Sequence, residues 1–381
     1  MFNLIGRNLT FCVSKRTKTT SFHRLFPRLS SSSPAAASDN SFAVSYLVDL
    51  CGFPPDKAIS ASKYLKFKTP DRADSVIAFF KDQGFTETQI SYMVGKFPLA
   101  LACHPEKNLL PKFEFLNSIG LSDSDIIKLF TARPSFLSRS LKHHVEPTVS
   151  FLRNLFQSND RLLIAIRRCA LIWNSNFKAD VIPNMQILCD VGVPRLQMLN
   201  LLTYYPRDFL VTTDQFKKAV DDVVEMGFDP LISSFMVAVH AVRSMSKSTW
   251  EKKMETYENW GLSKTEILLA FRINPWCMKA SKEKIDKVMD YLVNKMGFET
   301  TVIVKNPGII SMSLEKRIIP RCLVYKYCLD NGLMKDKNCC SFGWWLQCSE
   351  EKFIKRLERY EKEAPGVLKF YLEKLNHADR R

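Results

Sequence analysis

The chain has 381 residues, of which 46% are hydrophobic and 25% are charged, so it carries enough apolar surface to fold and is not expected to be disordered. Its 55 Lys and Arg residues outnumber 39 Asp and Glu residues, and the net charge of +16 favours a polyanionic partner, either nucleic acid or an acidic membrane. The 11 Cys residues form no CxxC pair, which argues against a zinc or disulfide framework and indicates reduced thiols.

The first 38 residues are basic and rich in serine, and no Asp or Glu precedes Asp39. This composition is typical of an organelle transit peptide, so we expect residues 1–38 to direct the protein to the mitochondrion, with the chloroplast as the alternative. Removal of the six basic residues in this segment still leaves a net charge of 16 − 6 = +10. No later segment approaches the roughly 20 apolar residues of a membrane span, so no membrane partner is expected.

Residues 39–83 precede a regular repeat and differ from it. Gly52 and the turn Pro54-Pro55-Asp56 interrupt the apolar residues of this region. We expect residues 39–83 to form an atypical N-terminal capping repeat, because an array of stacked helices needs an end unit that covers its apolar face.

A glycine followed by an apolar residue then recurs along the chain. A fixed period of this length indicates stacked helical units. One interval is doubled, which predicts a repeat whose glycine position is filled by Phe156. The glycines are Gly84, Gly120, Gly192, Gly227, Gly261 and Gly297, at intervals of 36, 72, 35, 34 and 36 residues.

Three of these glycines are followed by a helix-start pattern. The pattern reads Thr86-x-x-Gln89, Ser122-x-x-Asp125 and Ser263-x-x-Glu266, in which the hydroxyl and the acid or amide satisfy each other's backbone N–H groups. A proline 14 residues after the glycine, such as Pro98 or Pro134, is expected to end that helix, because its ring has no N–H and disfavours helical geometry in the preceding residue.

A second proline follows 13 residues after the first, and we predict that it occupies the first position of another helix, where no N–H is needed. That helix runs to the next glycine, which is expected to adopt a left-handed conformation. Each unit is therefore predicted to be two helices and a short helical turn. The second prolines are Pro111, Pro147, Pro183 and Pro320, and Ala170 replaces the first proline before Pro183.

Seven units of about 34–36 residues account for residues 84–333. A pair of short helices cannot bury its apolar face alone, so the units must stack, and the predicted fold class is an all-α superhelical solenoid with a concave surface. Ala241 replaces the proline of the fifth unit, and the seventh unit is compressed. Residues 334–381 are predicted to form a C-terminal capping helix, Glu350 to Leu375, and a tail.

The combination of Gly-Phe or Gly-Leu, a capped Ile-rich helix, a proline turn and a Pro-x-x-x-Phe-Leu helix resembles the mitochondrial transcription termination factor (mTERF) family. The strongest matches are Gly84 to Leu116, Gly120 to Leu152 and Ser313 to Arg321, the last of which resembles the plant branch. The resemblance covers roughly residues 41–375. It implies three-helix repeats that hold double-stranded nucleic acid on a basic inner face, with roles in organelle transcription and, in plants, RNA processing.

Basic residues recur near the proline turns. Because they occupy the same position in successive repeats, stacking of the repeats would align them along a groove. In the helix Asp160 to Arg168, the guanidinium groups of Arg161 and Arg168 share the side opposite Leu162, Leu163 and Ile166, and their forks match phosphate oxygens. For any single arginine, a solvated surface explains the sequence equally well. The candidate nucleic-acid-binding residues are Arg133, Arg139, Arg161, Arg168, Arg207, Arg243, Arg272, Lys305, Arg317 and Arg321.

Four aromatic residues lie beside the same turns and are interpreted mainly as core, with base stacking as the lesser alternative. They are Trp173, Tyr204, Tyr205 and Trp276. The pair His143-His144 is not accompanied by a second cluster with metal-ligand spacing, and no HExxH, GxSxG or phosphate-loop motif occurs. We therefore expect no catalysis, no metal and no cofactor.

The sequence thus predicts a monomeric regulator of organelle gene expression that binds double-stranded DNA or RNA, with organellar transcription or splicing proteins as further partners. Two other interpretations remain compatible with it. Helical arrays also serve as protein–protein scaffolds, and single-stranded RNA-binding repeat proteins have a similar period. The proline pairs 13 residues apart argue against the latter, because the helices of such arrays are not broken there.

Overall fold

The computed structural model describes residues 39–49, 52–65, 69–173, 177–333 and 339–379, and every regular element within these ranges is helical. The predicted class, an all-α fold of tandem helical repeats, is confirmed. The predicted transit peptide, residues 1–38, lies outside the described residues. Within the described ranges, no helix combines the length and the apolar composition that a membrane crossing requires.

Twenty α-helices are assigned within the described ranges, and short helices with tighter or wider turns lie between them. The first ten are α1 (Asp39–Asp49), α2 (Pro55–Ser62), α3 (Asp71–Asp82), α4 (Glu87–Lys96), α5 (Leu110–Ser118), α6 (Asp123–Ala132), α7 (Glu146–Phe156), α8 (Asn159–Arg168), α9 (Phe177–Asp190) and α10 (Arg195–Tyr204). The others are α11 (Thr213–Glu225), α12 (Ser233–Ser244), α13 (Lys247–Asn259), α14 (Lys264–Ile273), α15 (Lys282–Asp290), α16 (Thr301–Lys305), α17 (Ile319–Asp330), α18 (Cys339–Gln347), α19 (Glu350–Tyr360) and α20 (Val367–Asp379).

The described chain divides into two units. The amino-terminal unit comprises the described residues of 39–186 and 198–213. The carboxy-terminal unit comprises residues 187–197 and the described residues of 214–379.

The predicted helix starts are confirmed. At α4, α6 and α14 the N-cap hydroxyl accepts the backbone N–H three residues on, and the side chain of that residue accepts the N-cap backbone N–H in return. The caps are those read from the sequence, namely Thr86 with Gln89, Ser122 with Asp125 and Ser263 with Glu266. Each such box satisfies two backbone donors that would otherwise lack a partner at the start of the helix.

The left-handed helix stops are also confirmed, with one correction. The repeat glycines from Gly84 to Gly297 have φ values between 69° and 102°. In the third repeat the prediction that Phe156 takes the glycine position is wrong by one residue. Phe156 is the buried last residue of α7, and Gln157 adopts the left-handed conformation at φ 48°. The apolar ring stays in the core, and the exposed polar residue takes the conformation that glycine tolerates best.

The second proline of a repeat does not begin its helix. A wide helical turn of five residues precedes α5, α7 and α17, namely Pro105–Leu109, Leu141–Val145 and Leu314–Ile318. The residue before each proline donates its N–H across five residues, as Leu110 does to Pro105. This wider spacing moves the carbonyl that would meet the proline ring, so the chain enters the α-helix without a break.

Two departures from the proline pattern have structural consequences. Pro183 lies inside α9 instead of at its start, which corrects the predicted helix boundary. In the fifth repeat Ala241 replaces the proline, and α12 therefore continues through it to Ser244 without the short helix found in the other repeats. The third repeat still forms its short helix, Ala170–Trp173, although Ala170 replaces proline there.

Short helices of four or five residues follow most of the first helices, and their terminal carbonyl groups accept hydrogen bonds from the preceding repeat. The Lys112 ammonium of α5 donates to the Leu137 carbonyl at 2.6 Å, and the Lys253 ammonium of α13 donates to the Met278 carbonyl at 2.6 Å. The Asn184 amide of α9 donates to the Phe209 carbonyl at 2.9 Å. We call these side chains the inter-repeat donors. All three are buried, and desolvation by burial lowers the pKa of both lysines.

Aromatic side chains form the core between repeats of the amino-terminal unit. The rings of Phe80 and Phe85, Phe113 and Phe130, and Phe136 and Trp173 have centroids 5.1, 4.7 and 5.2 Å apart. The Phe85 and Phe130 rings are 6.4 Å apart and the Phe130 and Phe136 rings are 5.3 Å apart, so the three pairs form one continuous cluster. The sequence predicted that units with a single apolar face must stack. In this unit, contacts between aromatic rings join one repeat to the next.

The carboxy-terminal end contains more helices than the sequence indicated. Instead of one closing helix from Glu350 to Leu375, the chain forms α19 and α20, with Gly366 at φ 92° just before α20. Helix α18 precedes them and buries Trp345, whose ring lies 5.0 Å from that of Phe353 on α19.

Substitution of an inter-repeat donor is expected to destabilise the fold. Lys253→Met keeps the length of the side chain but leaves the Met278 carbonyl without its donor, so the free energy of unfolding should fall by about 1–3 kcal/mol. Lys217→Met is the matched control, because Lys217 is exposed and pairs with Asp221 along its own helix. Denaturant unfolding of the two variants measures the difference. Equal stability of the two variants would contradict the structural role.

The buried Asp222 carboxyl of α11 predicts a pH-dependent stability. Asp222 is 9% exposed, and one of its oxygens accepts no hydrogen bond within the described part of the chain. Desolvation by burial raises its pKa to about 6, opposed by the nearby charge of Lys218 and assisted by those of Glu225 and Asp221. Since the folded pKa exceeds the unfolded value, the stabilising protonated form is fully populated below about pH 4 and is lost as pH rises through about 6.

Asp222→Asn should therefore raise the free energy of unfolding at pH 8 by about 1–2 kcal/mol, allowing for solvent screening, and should change it little at pH 4. Unfolding curves at the two pH values test this expectation. A benefit that is the same at both pH values would argue against titration of this carboxyl.

Candidate nucleic-acid interface

Basic side chains recur at the carboxyl ends of the first helices of the repeats. Each lies in the last turn of its helix or directly after it, where the partial negative charge of the helix end favours a cation. The recurrence predicted from the sequence therefore has a defined location in both units. The residues are Lys96 on α4, Arg133 after α6, Arg168 on α8, Arg272 on α14 and Lys305 on α16.

The candidate residues differ in exposure. Arg168, Arg207, Arg272 and Lys305 are exposed, and Arg207 lies on the short helix Pro206–Phe209. Arg133, Arg139 and Arg161 are half-buried. In the amino-terminal unit, Arg168 and Arg207 are thus the arginines of the predicted set that are most accessible to a phosphate, and Arg272 and Lys305 hold that position in the carboxy-terminal unit.

Two of the helix-end cations lie over tyrosine rings in the amino-terminal unit. The Arg168 guanidinium is 5.3 Å from the ring centroid of Tyr204, and the Lys96 ammonium is 4.4 Å from that of Tyr92. The two rings remain 45% and 49% exposed, so each pair presents a charge and an aromatic face together at the surface. By contrast, Trp173 is fully buried and is a core residue, as the main interpretation of the sequence held.

Arg167, which the sequence placed on the flank of α8, forms a contact between repeats. It donates to the Asp125 carboxylate at 2.8 Å and to the Gly120 carbonyl at 3.5 Å. Desolvation raises the pKa of Asp125, but hydrogen bonds from Arg167 and Ser122 outweigh it, and the net effect lowers the pKa. This arginine therefore supports the start of α6, which sequence spacing alone does not reveal.

The prediction that Arg321 contacts nucleic acid at the surface is wrong, because its side chain is fully buried. Its guanidinium donates to the carbonyls of Trp345, Leu346 and Cys348 at 3.1, 3.0 and 2.8 Å, and to the Glu350 carboxylate at 2.7 Å. These carbonyls lie at the end of α18, where they have no partner within the helix. The arginine therefore caps α18 from the preceding repeat and is not available to a phosphate.

The predicted nucleic-acid contacts of Arg317 and Arg243 are also corrected, because both side chains are at least half-buried. The Arg317 guanidinium is half-buried and donates to the carbonyls of Leu346, Gln347 and Cys348, so it shares the capping of α18 with Arg321. Arg243 is only 8% exposed. Since Ala241 does not stop α12, Arg243 lies within a continuing helix instead of after its end, and its side chain is enclosed.

His144 and two of the cysteines have structural surroundings. The His144 ring nitrogen Nε2 lies 2.7 Å from the Trp173 carbonyl, which makes it a structural contact between repeats. Over the described ranges, His, Cys, Asp and Glu side chains form no group of three that could hold a metal ion. Burial raises the pKa of the Cys277 thiol to about 12 and of Cys328 to about 11, which disfavours a thiolate nucleophile.

The two classes of arginine predict different outcomes of substitution. Arg321→Met removes a buried cation from four acceptors and should lower the free energy of unfolding by about 2–4 kcal/mol. Arg168→Ala, at an exposed helix end, should change it by no more than about 0.5 kcal/mol. Denaturant unfolding compares them directly, and similar losses for both variants would show that this division is incorrect.

The helical repeats of this chain match one known protein family. The sequence profile of the mTERF family matches residues 77–287 and, again, residues 236–354. The chain belongs to the mTERF family. The matched regions extend from α3 to α19, so the helical repeats and the arginine-capped end of α18 all lie within mTERF sequence.

Two mTERF relatives come from Arabidopsis thaliana. The chain is 20% identical over 323 residues to transcription termination factor MTERF8, chloroplastic, and 22% identical over 265 residues to transcription termination factor MTERF15, mitochondrial. These alignments cover 83% and 68% of this chain, and 62% and 49% of the two relatives. The chain therefore matches only about half to three fifths of the length of these mTERF proteins.

Proposed function

We propose that this mTERF protein is a nucleic-acid-binding regulator of organelle gene expression that acts by occupying double-stranded DNA and catalyses no reaction. The observation that carries the proposal is the recurrence of exposed cations at the carboxyl ends of first helices, as with Arg168 on α8, Arg272 on α14 and Lys305 on α16. Each unit presents such residues on its own surface. Repetition of one charge at one position is the pattern expected of a surface that follows a regular polyanion.

The location of these cations has a physical rationale. The carboxyl end of a helix carries partial negative charge and would by itself repel a phosphate. A guanidinium or ammonium group there neutralises that charge and adds a donor for phosphate oxygens, which for arginine is a planar fork. Binding of several phosphates would release counterions from the nucleic acid and supply most of the affinity.

The names of the relatives support an organellar location and a role in transcription termination. Both are named transcription termination factors, one chloroplastic and one mitochondrial. We extend these roles to this chain as follows: residues 1–38 serve as a transit peptide, the protein acts as a monomer in the mitochondrion or, alternatively, the chloroplast, and RNA and organellar transcription or splicing proteins are further partners.

A protein–protein scaffold is the second candidate, and an exposed apolar group favours it. In the carboxy-terminal unit Leu196, Leu231 and Ile232 are 60%, 66% and 54% exposed, and the Gln197 amide donates to the Leu231 carbonyl at 2.7 Å. Clusters of this kind are common at protein contacts. A scaffold would bind duplex DNA weakly and with little dependence on salt, so the salt dependence of DNA binding separates the two functions.

Binding to duplex DNA should weaken steeply as salt rises, and three candidate arginines of the amino-terminal unit should account for part of the slope. The triple variant Arg161→Ala, Arg168→Ala and Arg207→Ala should lower the affinity at fixed salt and reduce the slope of log K against log salt by about 2–3, because each phosphate contact contributes about 0.9. Fluorescence anisotropy with a duplex of unrelated sequence at several salt concentrations measures both quantities.

The matched control removes the same number of charges outside the predicted surface. Lys57→Ala, Lys63→Ala and Arg72→Ala lie on or next to α2 and α3, before the first repeat, and all three side chains are exposed. This variant should retain the wild-type slope. A flat salt response of the wild type, or an equal loss in both triple variants, would contradict the proposed surface.

A further inference from the structure

Three amide side chains meet in the carboxy-terminal unit, each at the carboxyl end of a helix. Asn274 follows α14, Asn306 follows α16, and Gln347 is the last residue of α18. The Gln347 amide nitrogen lies 3.4 Å from the Asn306 side-chain oxygen and donates to it. We call these three residues the amide row.

Two glycines allow the amide row to lie against the backbone. A Cβ atom on Gly308 would lie 2.7 Å from the Gln347 side-chain oxygen and 2.9 Å from the Asn274 side-chain nitrogen. A Cβ atom on Gly343 would lie 1.6 Å from the Asn306 side-chain oxygen. Any side chain at either glycine would displace the amides, so the positions of all three depend on the absence of these atoms.

Within the described residues, hydrogen bonds engage both polar side-chain atoms of Asn306 but only one each of Asn274 and Gln347. Asn306 uses its nitrogen on the Val302 carbonyl at 3.2 Å and its oxygen on Gln347. The Asn274 oxygen accepts the Trp276 backbone N–H at 3.1 Å. Among the described residues, neither the Asn274 nitrogen nor the Gln347 oxygen makes a hydrogen bond, and the two atoms are neighbours because both lie against the buried Gly308.

The amide row includes an exposed residue and follows exposed cations in the sequence. Gln347 is exposed and Asn274 is half-buried. Arg272 precedes Asn274 by two residues and Lys305 directly precedes Asn306, and both cations are exposed. Cations of this kind position a nucleic acid through its phosphates, whereas neutral donors and acceptors read base edges.

The donor–acceptor pair matches one base in the major groove of duplex DNA. Adenine presents an N6 donor beside an N7 acceptor, which would pair with the Gln347 oxygen and the Asn274 nitrogen respectively. Guanine presents two acceptors, thymine an acceptor and a methyl group, and cytosine a single donor. None of these three offers the complementary donor and acceptor side by side.

We propose that Asn274 and Gln347, with Asn306 holding Gln347 in place, read the major-groove edge of adenine in double-stranded DNA and give the protein part of its sequence preference. This inference rests on the proposed function, because it requires that the protein binds duplex DNA. Arg272 and Lys305 contribute affinity without discriminating between bases.

The test uses Asn274→Ser together with Gln347→Met in the full chain. Serine retains an oxygen that accepts the Trp276 N–H, and methionine retains the length of glutamine without its polar atoms. Duplexes with a randomised core are selected on the wild-type protein and sequenced, and the dissociation constants of the best site and of the same site with one adenine changed to guanine are then measured at fixed salt.

The wild type should prefer the adenine site by about tenfold, and the double variant by less than about twofold, with an unchanged slope of affinity against salt. Asn200→Ser, at an exposed amide on α10, is the control and should keep the tenfold preference. Salt-dependent binding without an adenine preference, or a preference that the double variant retains, would overturn this inference alone. Absence of any salt-dependent binding by the wild type would overturn the proposed function as well.

Discussion

A helix that ends early leaves carbonyl groups without partners, and the repeats are held in register by the side chains that supply those partners. The first helix of most repeats ends at a proline or its substitute, and a helix of only four or five residues follows. Its last carbonyls then accept a buried donor from the preceding repeat, as Leu137 accepts from Lys112 and Met278 accepts from Lys253. An unsatisfied buried carbonyl costs about 1–3 kcal/mol, so each contact penalises any shift of one repeat against the next.

The need to satisfy carbonyl groups at helix ends also determines the role of several basic residues. Lys112, Lys253, Arg317 and Arg321 donate to main-chain carbonyls and are enclosed or partly enclosed by neighbouring repeats. Their charges enter the net charge of +16 but are directed into the protein. The net charge therefore overstates the charge available to a polyanion. Among the candidate residues, the cations that remain exposed are Arg168, Arg207, Arg272 and Lys305.

Local patterns allowed much of the fold to be predicted, since they depend on residues within a few positions of each other. The caps at Ser122 and Ser263 and the left-handed glycines are of this kind. The position of Gln157, the helix through Pro183 and the wide turns before other prolines were missed, because they depend on how a helix packs as well as on its own sequence.

The candidate site was only partly predictable for a similar reason. The phase of the repeat placed Arg168, Arg272 and Lys305 at exposed helix ends. It could not distinguish them from Arg321, whose acceptors lie 24 to 29 residues further along the chain. The signal that distinguishes Arg243 was present in the sequence, since the missing proline at Ala241 predicts a continuing helix. The amide row gave no signal, because residues from three separate helix ends come together only in the folded unit.

We infer a division of the basic residues into a set that holds the repeats together and a set that is available to nucleic acid. Its most direct test is a scan that replaces each of Lys112, Lys253, Arg321, Arg168, Arg207, Arg272 and Lys305 singly with methionine, with unfolding free energy and duplex DNA affinity measured on every variant. We expect the first three variants to lose stability and the last four to lose affinity, with little overlap between the two effects. If stability and affinity fell together across both groups, the division would be contradicted.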